Sequence, residues 1–168
     1  FTSSKIEPYV QKSLQTGIAA WPLEQPISQL THPSMFKYLD AETTQFYFIH
    51  MLDTTRFVIY NTVDIHNKLM FNWVKCALKE ECIAPPGSKF NGCDLDRRPQ
   101  FLYSGCHRYE SSAFSILVSL MFDMKESAYT MTLGQNMTEE SVRVDQSNSF
   151  IQSYDSAGLS DKTTGSKI

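Results

Sequence analysis

The sequence predicts an α/β fold, and three observations carry that expectation. Strand-like segments alternate with segments of helical periodicity. The 168 residues are 42% hydrophobic and 12% aromatic, enough for one domain with a substantial core. Strand candidates are few, three or four in all, and none leads into a Gly-rich phosphate loop of the G-x-G-x-x-G or G-x-x-x-x-G-K-[ST] kind.

Each element follows from local chemistry. A helix is expected after Ser3 or Ser4, either of which can cap it, with Pro8 in its first turn. Ile6, Val10 and Leu14 share one of its faces, and Gly17 ends it. Ile18 to Trp21 reads as a short buried strand, after which Pro22, Pro26 and Pro33 punctuate a loop. A short helix is expected over Ser34 to Leu39, and Gln45 to His50 suits strand or helix. Arg56 to Tyr60 is a strand candidate closed by Asn61-Thr62, and Thr62 or Asp64 can cap the helix that follows. That helix carries Ile65, Leu69, Trp73 and Ala77, flanked by Met70, Val74 and Leu78, and ends near Lys79. A long loop from Glu81 to Gly105 precedes a helix over Glu110 to Phe122, whose stripe is Ala113, Ile116, Leu117, Leu120 and Met121. Ala128 to Leu133 is read as a last strand. The folded unit is therefore expected over residues 1–133 and a polar, disordered tail over 134–168, most clearly beyond Val144.

Composition narrows the function classes. The net charge of -3, with no basic stripe, argues against a nucleic-acid partner. No apolar run approaches the roughly 18 residues of a membrane span. The chain starts at Phe1, and Phe1 to Glu7 lacks the apolar region of a signal peptide, so the natural N-terminus is expected to lie upstream. Cys76, Cys82, Cys93 and Cys106 cluster in one stretch, which suggests two disulfides and an oxidising compartment. Among the three pairings, which sequence cannot separate, a slight preference goes to Cys76 with Cys82 and Cys93 with Cys106. A zinc site and reduced buried thiols are the rival readings. Asn136-Met137-Thr138 is a glycosylation sequon that suits a luminal chain.

Four segments carry a resemblance. They are Thr31-His32-Pro33-Ser34-Met35-Phe36-Lys37-Tyr38; Val58-Ile59-Tyr60-Asn61-Thr62; Trp73 to Leu78 with Glu81-Cys82-Ile83-Ala84-Pro85-Pro86-Gly87-Ser88; and Cys106-His107-Arg108-Tyr109-Glu110-Ser111-Ser112-Ala113. In order and spacing, over roughly Phe1 to Phe122, they resemble the C-terminal half of an invertebrate, notably nematode, family of uncharacterised glycosyltransferase-like proteins. The resemblance implies part of a GT-A-like mixed sheet flanked by helices, in a protein of the Golgi lumen or a secreted one. Its partners would be a nucleotide-sugar and a glycan or protein acceptor. Mn²⁺ is implied only for a longer form, because the acidic D-x-D-like motif would precede Phe1, and no metal ligand is assigned in this chain. Asp94-Leu95-Asp96 matches D-x-D formally but sits in a Cys-bounded loop followed by Arg97-Arg98, so it reads as a solvated loop.

The same resemblance selects candidate residues. Relatives more often read His-Arg-Tyr/Phe-Asp-Gln-Ser-Ala in the fourth segment, where the Asp-Gln pair faces the bound sugar. Here Glu110 stands for Asp and Ser111 for Gln. Glu110 is the catalytic candidate, binding sugar hydroxyls or stabilising charge at the anomeric carbon. Its structural counterpart is an acid complementing the helix dipole. His107, Arg108, Ser111 and His32 are substrate-binding candidates, Arg108 as a diphosphate clamp; Asn61 is added because it ends a strand where ligands bind in α/β sheets, with helix capping as the favoured alternative. Glu moves the carboxylate out by one methylene and Ser lacks the amide, and a misplacement of about 1 Å can lower a rate about a hundredfold. The chain alone is thus expected to be inactive. The other reading is a non-catalytic luminal or secreted protein that binds glycan weakly.

Overall fold

A computed structural model describes residues 6–131. Asn136 and the polar tail lie outside the described residues, as do Ser3, Ser4 and Leu133. The architecture is mixed α/β: a two-stranded antiparallel sheet with helices packed against it.

Helix α1 (Glu7–Thr16) begins with Ile6 at the capping position and Pro8 in the first turn, so it starts later than the serines suggest. Ile6 and Leu14 stay exposed, and Tyr9 and Ser13 are the buried residues of the helix. Gly17 closes it with φ 87, and its N–H donates to the Ser13 carbonyl at 2.7 Å. A Cβ there would sit 2.5 Å from Ile65 Cγ1, so both conformation and space require glycine.

Strand β1 (Ile18–Pro26) pairs with β2 (His50–Ile59). Ile18, Ala19 and Ala20 face Ile59, Val58 and Phe57 in regular register. The register then breaks: Pro22 opposes Leu52, and Pro26 opposes His50. β1 thus runs five residues past Trp21, through the two prolines assigned to a loop. Proline cannot donate to a ladder, and the irregularities absorb it. Between Leu52 and Phe57, β2 swings out, and the Asp53 carboxylate closes the excursion. It accepts from the Thr55 N–H at 2.9 Å, the Thr55 hydroxyl at 2.6 Å and Arg56 Nε at 2.8 Å. Gln45 to His50 resolves into a 3₁₀ turn over Thr43–Phe46, with the strand starting at His50. The expected last strand reduces, among the described residues, to a single parallel bridge between Thr130 and Ala20.

Helix α2 (Pro33–Tyr38) buries Met35 and Phe36. After β2, the Thr62 hydroxyl accepts the Ile65 N–H at 3.2 Å, the capping role read from sequence. The helix opens as a π-helical segment, Ile65–Met70, and continues as α3 (Phe71–Ala77). Ile65, Leu69 and Cys76 are buried, whereas Val74 and Leu78, assigned to the apolar face, are exposed. The short helix α4 (Glu80–Ile83) follows, and α5 (Tyr109–Met121) runs through the centre of the fold.

α5 packs against β2, α3 and α4. Every residue from Ser112 to Ser119 is buried, a wider surface than the predicted stripe. One side meets Ile27, Phe36, Phe46 and Met51 through Ala113 and Ile116. The other meets Ile18, Leu52, Ile65 and Leu69 through Phe114, Leu117 and Val118. Its serines are satisfied internally. Ser112 Oγ donates to the Leu30 carbonyl, Ser115 Oγ accepts the Leu52 N–H at 2.9 Å, and Ser119 Oγ bonds the Ser115 carbonyl and the Tyr129 hydroxyl.

The cysteines form two disulfides, Cys76–Cys82 and Cys93–Cys106. Their Cα separations of 5.2 and 4.8 Å lie in the usual range for such a bridge. The preferred neighbour pairing is therefore the observed one, and the zinc and free-thiol readings fall away.

Candidate functional site

The candidates from His107 to Ser111 stand where the long loop enters α5. The loop is held at many points. Ser104 N–H and Oγ both donate to the Gln29 carbonyl, Asp94 N–H donates to the Ser104 carbonyl, and Gln29 Nε2 donates to the Leu95 carbonyl. The His107 N–H reaches the Lys89 carbonyl at 2.7 Å, and the Arg108 N–H reaches Leu30 at 3.1 Å. Asp94 and Asp96 are exposed on this loop, and among the described residues no group of three His, Cys, Asp or Glu is placed to hold a metal ion.

His107 is fully buried. Its Nδ1 accepts the His32 backbone N–H at 3.2 Å, which leaves Nε2 as the protonated nitrogen, 3.1 Å from the Ile83 carbonyl. Burial pushes its pKa down to about 4, and nearby His32 adds to the depression, against the raising effect of the Ile83 and Leu30 carbonyls. This is a neutral ring tying the start of α2 to the end of α4, with both nitrogens occupied. His32 caps α2: its Nδ1 accepts the Ser34 N–H at 3.3 Å. Burial lowers its pKa as well. Its ring meets Tyr103 edge-on, with centroids 5.5 Å apart.

Arg108 is turned towards the loop. Its guanidinium lies over Phe90, 4.8 Å from the ring centroid, and Nη2 is 3.7 Å from Cys93 Sγ. A cation–π contact of this kind holds the side chain without a carboxylate.

Glu110 occupies the first turn of α5 and is exposed. Tyr109 before it has φ 34, a left-handed conformation at the helix entry. The Glu110 carbonyl accepts Trp73 Nε1 at 3.2 Å, which fixes its backbone against α3. Ser111 Oγ stands 3.4 Å from Glu110 Oε1 and 2.7 Å from Thr54 Oγ1. Thr54 rides on the β2 excursion that Asp53 closes. Burial would raise the Asp53 pKa, but the Thr55 and Arg56 hydrogen bonds outweigh it and hold the carboxyl below its ordinary value. Glu110, Ser111 and Thr54 thus form a small display of one carboxylate and two hydroxyls.

The fold brings His32 together with His107, and Glu110 with Ser111. Asn61 stands elsewhere, exposed beside a groove lined by Phe57, Ile59, His66, Met70, Phe71 and Val74. Thr54 and the Trp73 anchor were not anticipated. The signal for Thr54 is Asp53 followed two residues on by Thr55, an Asx-turn pattern. Trp21, expected at a strand end, lies inside β1, where it stacks on Tyr9 with centroids 3.6 Å apart and carries Arg56 over its ring. Comparison of the chain with protein-family models, curated proteins and solved structures finds no match.

Proposed function

We propose that this chain is the sugar-facing part of a glycosyltransferase-like protein of the secretory pathway, working in the Golgi lumen or outside the cell. The observation that supports the reading is the display at the N-terminus of α5. Glu110 is exposed, its backbone is anchored by Trp73, and Ser111 and Thr54 present hydroxyls beside it. A carboxylate accepts from two vicinal hydroxyls of a sugar, and the neighbouring hydroxyls both donate and accept. The paired cysteines agree with an oxidising compartment.

Within this reading, a longer form of the protein would transfer a sugar from a nucleotide-sugar to a glycan or protein acceptor. The nucleotide and Mn²⁺ would be held by segments that precede Phe1. A second reading, a non-catalytic luminal or secreted protein binding glycan weakly, is favoured by the state of Arg108. A diphosphate clamp needs a guanidinium free to form paired hydrogen bonds, and this one is committed to Phe90 and Cys93.

Calorimetry with UDP-galactose and UDP-N-acetylglucosamine, with and without Mn²⁺, tests the proposal on this chain and on a form extended upstream. Metal-dependent binding in the extended form, weakened about tenfold by Glu110→Gln, is the result expected of a transferase. Binding in neither form removes the transferase reading. Because Glu110 is exposed, Glu110→Gln leaves the unfolding midpoint nearly unchanged, so lost binding reports the site.

A further inference from the structure

A second surface carries a binding chemistry of its own. Tyr47 and Phe101 stack face to face, with centroids 4.3 Å apart and planes within 16°. Phe48 stands nearly perpendicular to Phe101, at 6.1 Å and 70°, and is 79% exposed. Together with Glu24, His50 and Gln100 these rings line a groove of about 410 Å³. That volume lies in the range of small-molecule sites, roughly 300–1,000 Å³. The groove is open on an aromatic wall and edged by a carboxylate, an amide and an imidazole.

We propose that this groove binds a pyranose sugar. The C–H face of a pyranose is weakly positive and packs on the negative face of an aromatic ring. Its hydroxyls need a mixed set of donors and acceptors at the rim. Glu24 supplies an acceptor and Gln100 supplies both kinds. His50 is fixed for the task. Its backbone N–H and its Nδ1 both engage Glu126 Oε1, at 2.9 and 3.0 Å, which leaves Nε2 as the ring's remaining hydrogen-bonding atom. An apolar or proline-rich peptide fits less well. Proline-rich segments dock in slots between aromatic rings, and here Tyr47 and Phe101 close on each other. An apolar ligand would also cover Glu24 without a partner, which a polyhydroxylated one avoids.

The site stands on its own geometry and does not depend on Glu110. His50 and Thr54 both lie on β2, so one strand carries both surfaces. The test is saturation-transfer NMR on the full chain. The probes are methyl α-mannopyranoside, methyl β-galactopyranoside and methyl N-acetyl-β-glucosaminide, with an oligoproline peptide alongside. Transfer to ring C–H protons of at least one glycoside is expected. In a Glu110→Gln background, which takes the α5 display out of the readout, it should weaken about tenfold when Phe48→Ala is added. Phe48 is exposed enough that its variant keeps the circular dichroism spectrum of the parent. Comparing a glycopeptide with its released glycan then separates a protein-borne sugar from a free one. No transfer to any glycoside, undiminished transfer when Phe48→Ala is added to that background, or binding of oligoproline alone would each overturn the proposal.

Discussion

His107 shows how one side chain can look functional in sequence and be structural in space. It follows a cysteine, precedes an arginine and opens a helix, a setting that suggests ligand binding. Both its nitrogens are consumed by backbone groups far apart in the chain, Ile83 and His32. No sequence pattern reveals such partners. The consequence is a pH dependence. The ring titrates near 6.5 when unfolded and about 4 when folded, so the unfolded chain binds more protons between those values. The stabilisation is fully present above pH 6.5 and is lost as pH falls towards 4, a change on the order of 3 kcal/mol. His32, beside it, shifts in the same direction and adds to the slope. Urea unfolding followed from pH 8 to pH 4 should show the loss, and His107→Gln should flatten it. An NMR titration placing the His107 midpoint near 6.5 in the folded chain would refute the account.

At the scale of elements, short periodic segments were readable and irregular ones were not. Gly17, Pro33 and Thr62 punctuate the sequence where the structure turns or caps, because their chemistry is local. The start of β1 at Ile18 was legible, but its run beyond Trp21 was not, because the prolines there argue for a loop and only the breaks in register make room for them. α5 was legible as a helix, but its depth was not. Ser112, Ser115 and Ser119 lie outside the predicted apolar stripe, yet each is buried and bonded. Ser115 takes the Leu52 N–H at the point where β2 leaves its ladder. Ser115→Ala therefore leaves a buried N–H without a partner and should cost about 1–3 kcal/mol. Ser111→Ala, at a half-buried position where Thr54 can turn to water, should cost less. Denaturant midpoints at constant m-value would rank the two, and the Leu52 amide should lose hydrogen-exchange protection only in Ser115→Ala.

For the molecule as a whole, the α/β class follows from alternation, and the oxidising compartment from an even cluster of cysteines. The candidate site was legible only in part. Glu110 and Ser111 are adjacent in sequence, whereas Thr54 and Trp73 reach them through tertiary packing. The two disulfides should differ in accessibility. Cys76–Cys82 joins α3 to α4 within the core, with both residues almost fully buried. Cys93–Cys106 closes the loop that carries Phe101, and Cys93 is half-buried beside Arg108. Loop entropy for separations of 6 and 13 residues gives stabilisations of about 2 and about 3 kcal/mol, so the more valuable bridge is the more exposed one. A thiolate must reach a sulfur to exchange with it, and only Cys93 offers one without opening the core. Under mild reduction of the folded chain, alkylation should therefore label Cys93 and Cys106 before Cys76 and Cys82, and sugar binding at the Phe48–Phe101 groove should fall with the first labelling. Peptide mapping against time decides the order. Earlier labelling of Cys76 and Cys82 would mean that the α3–α4 corner opens more readily than the loop, and that the core is weakest where its packing looks tightest.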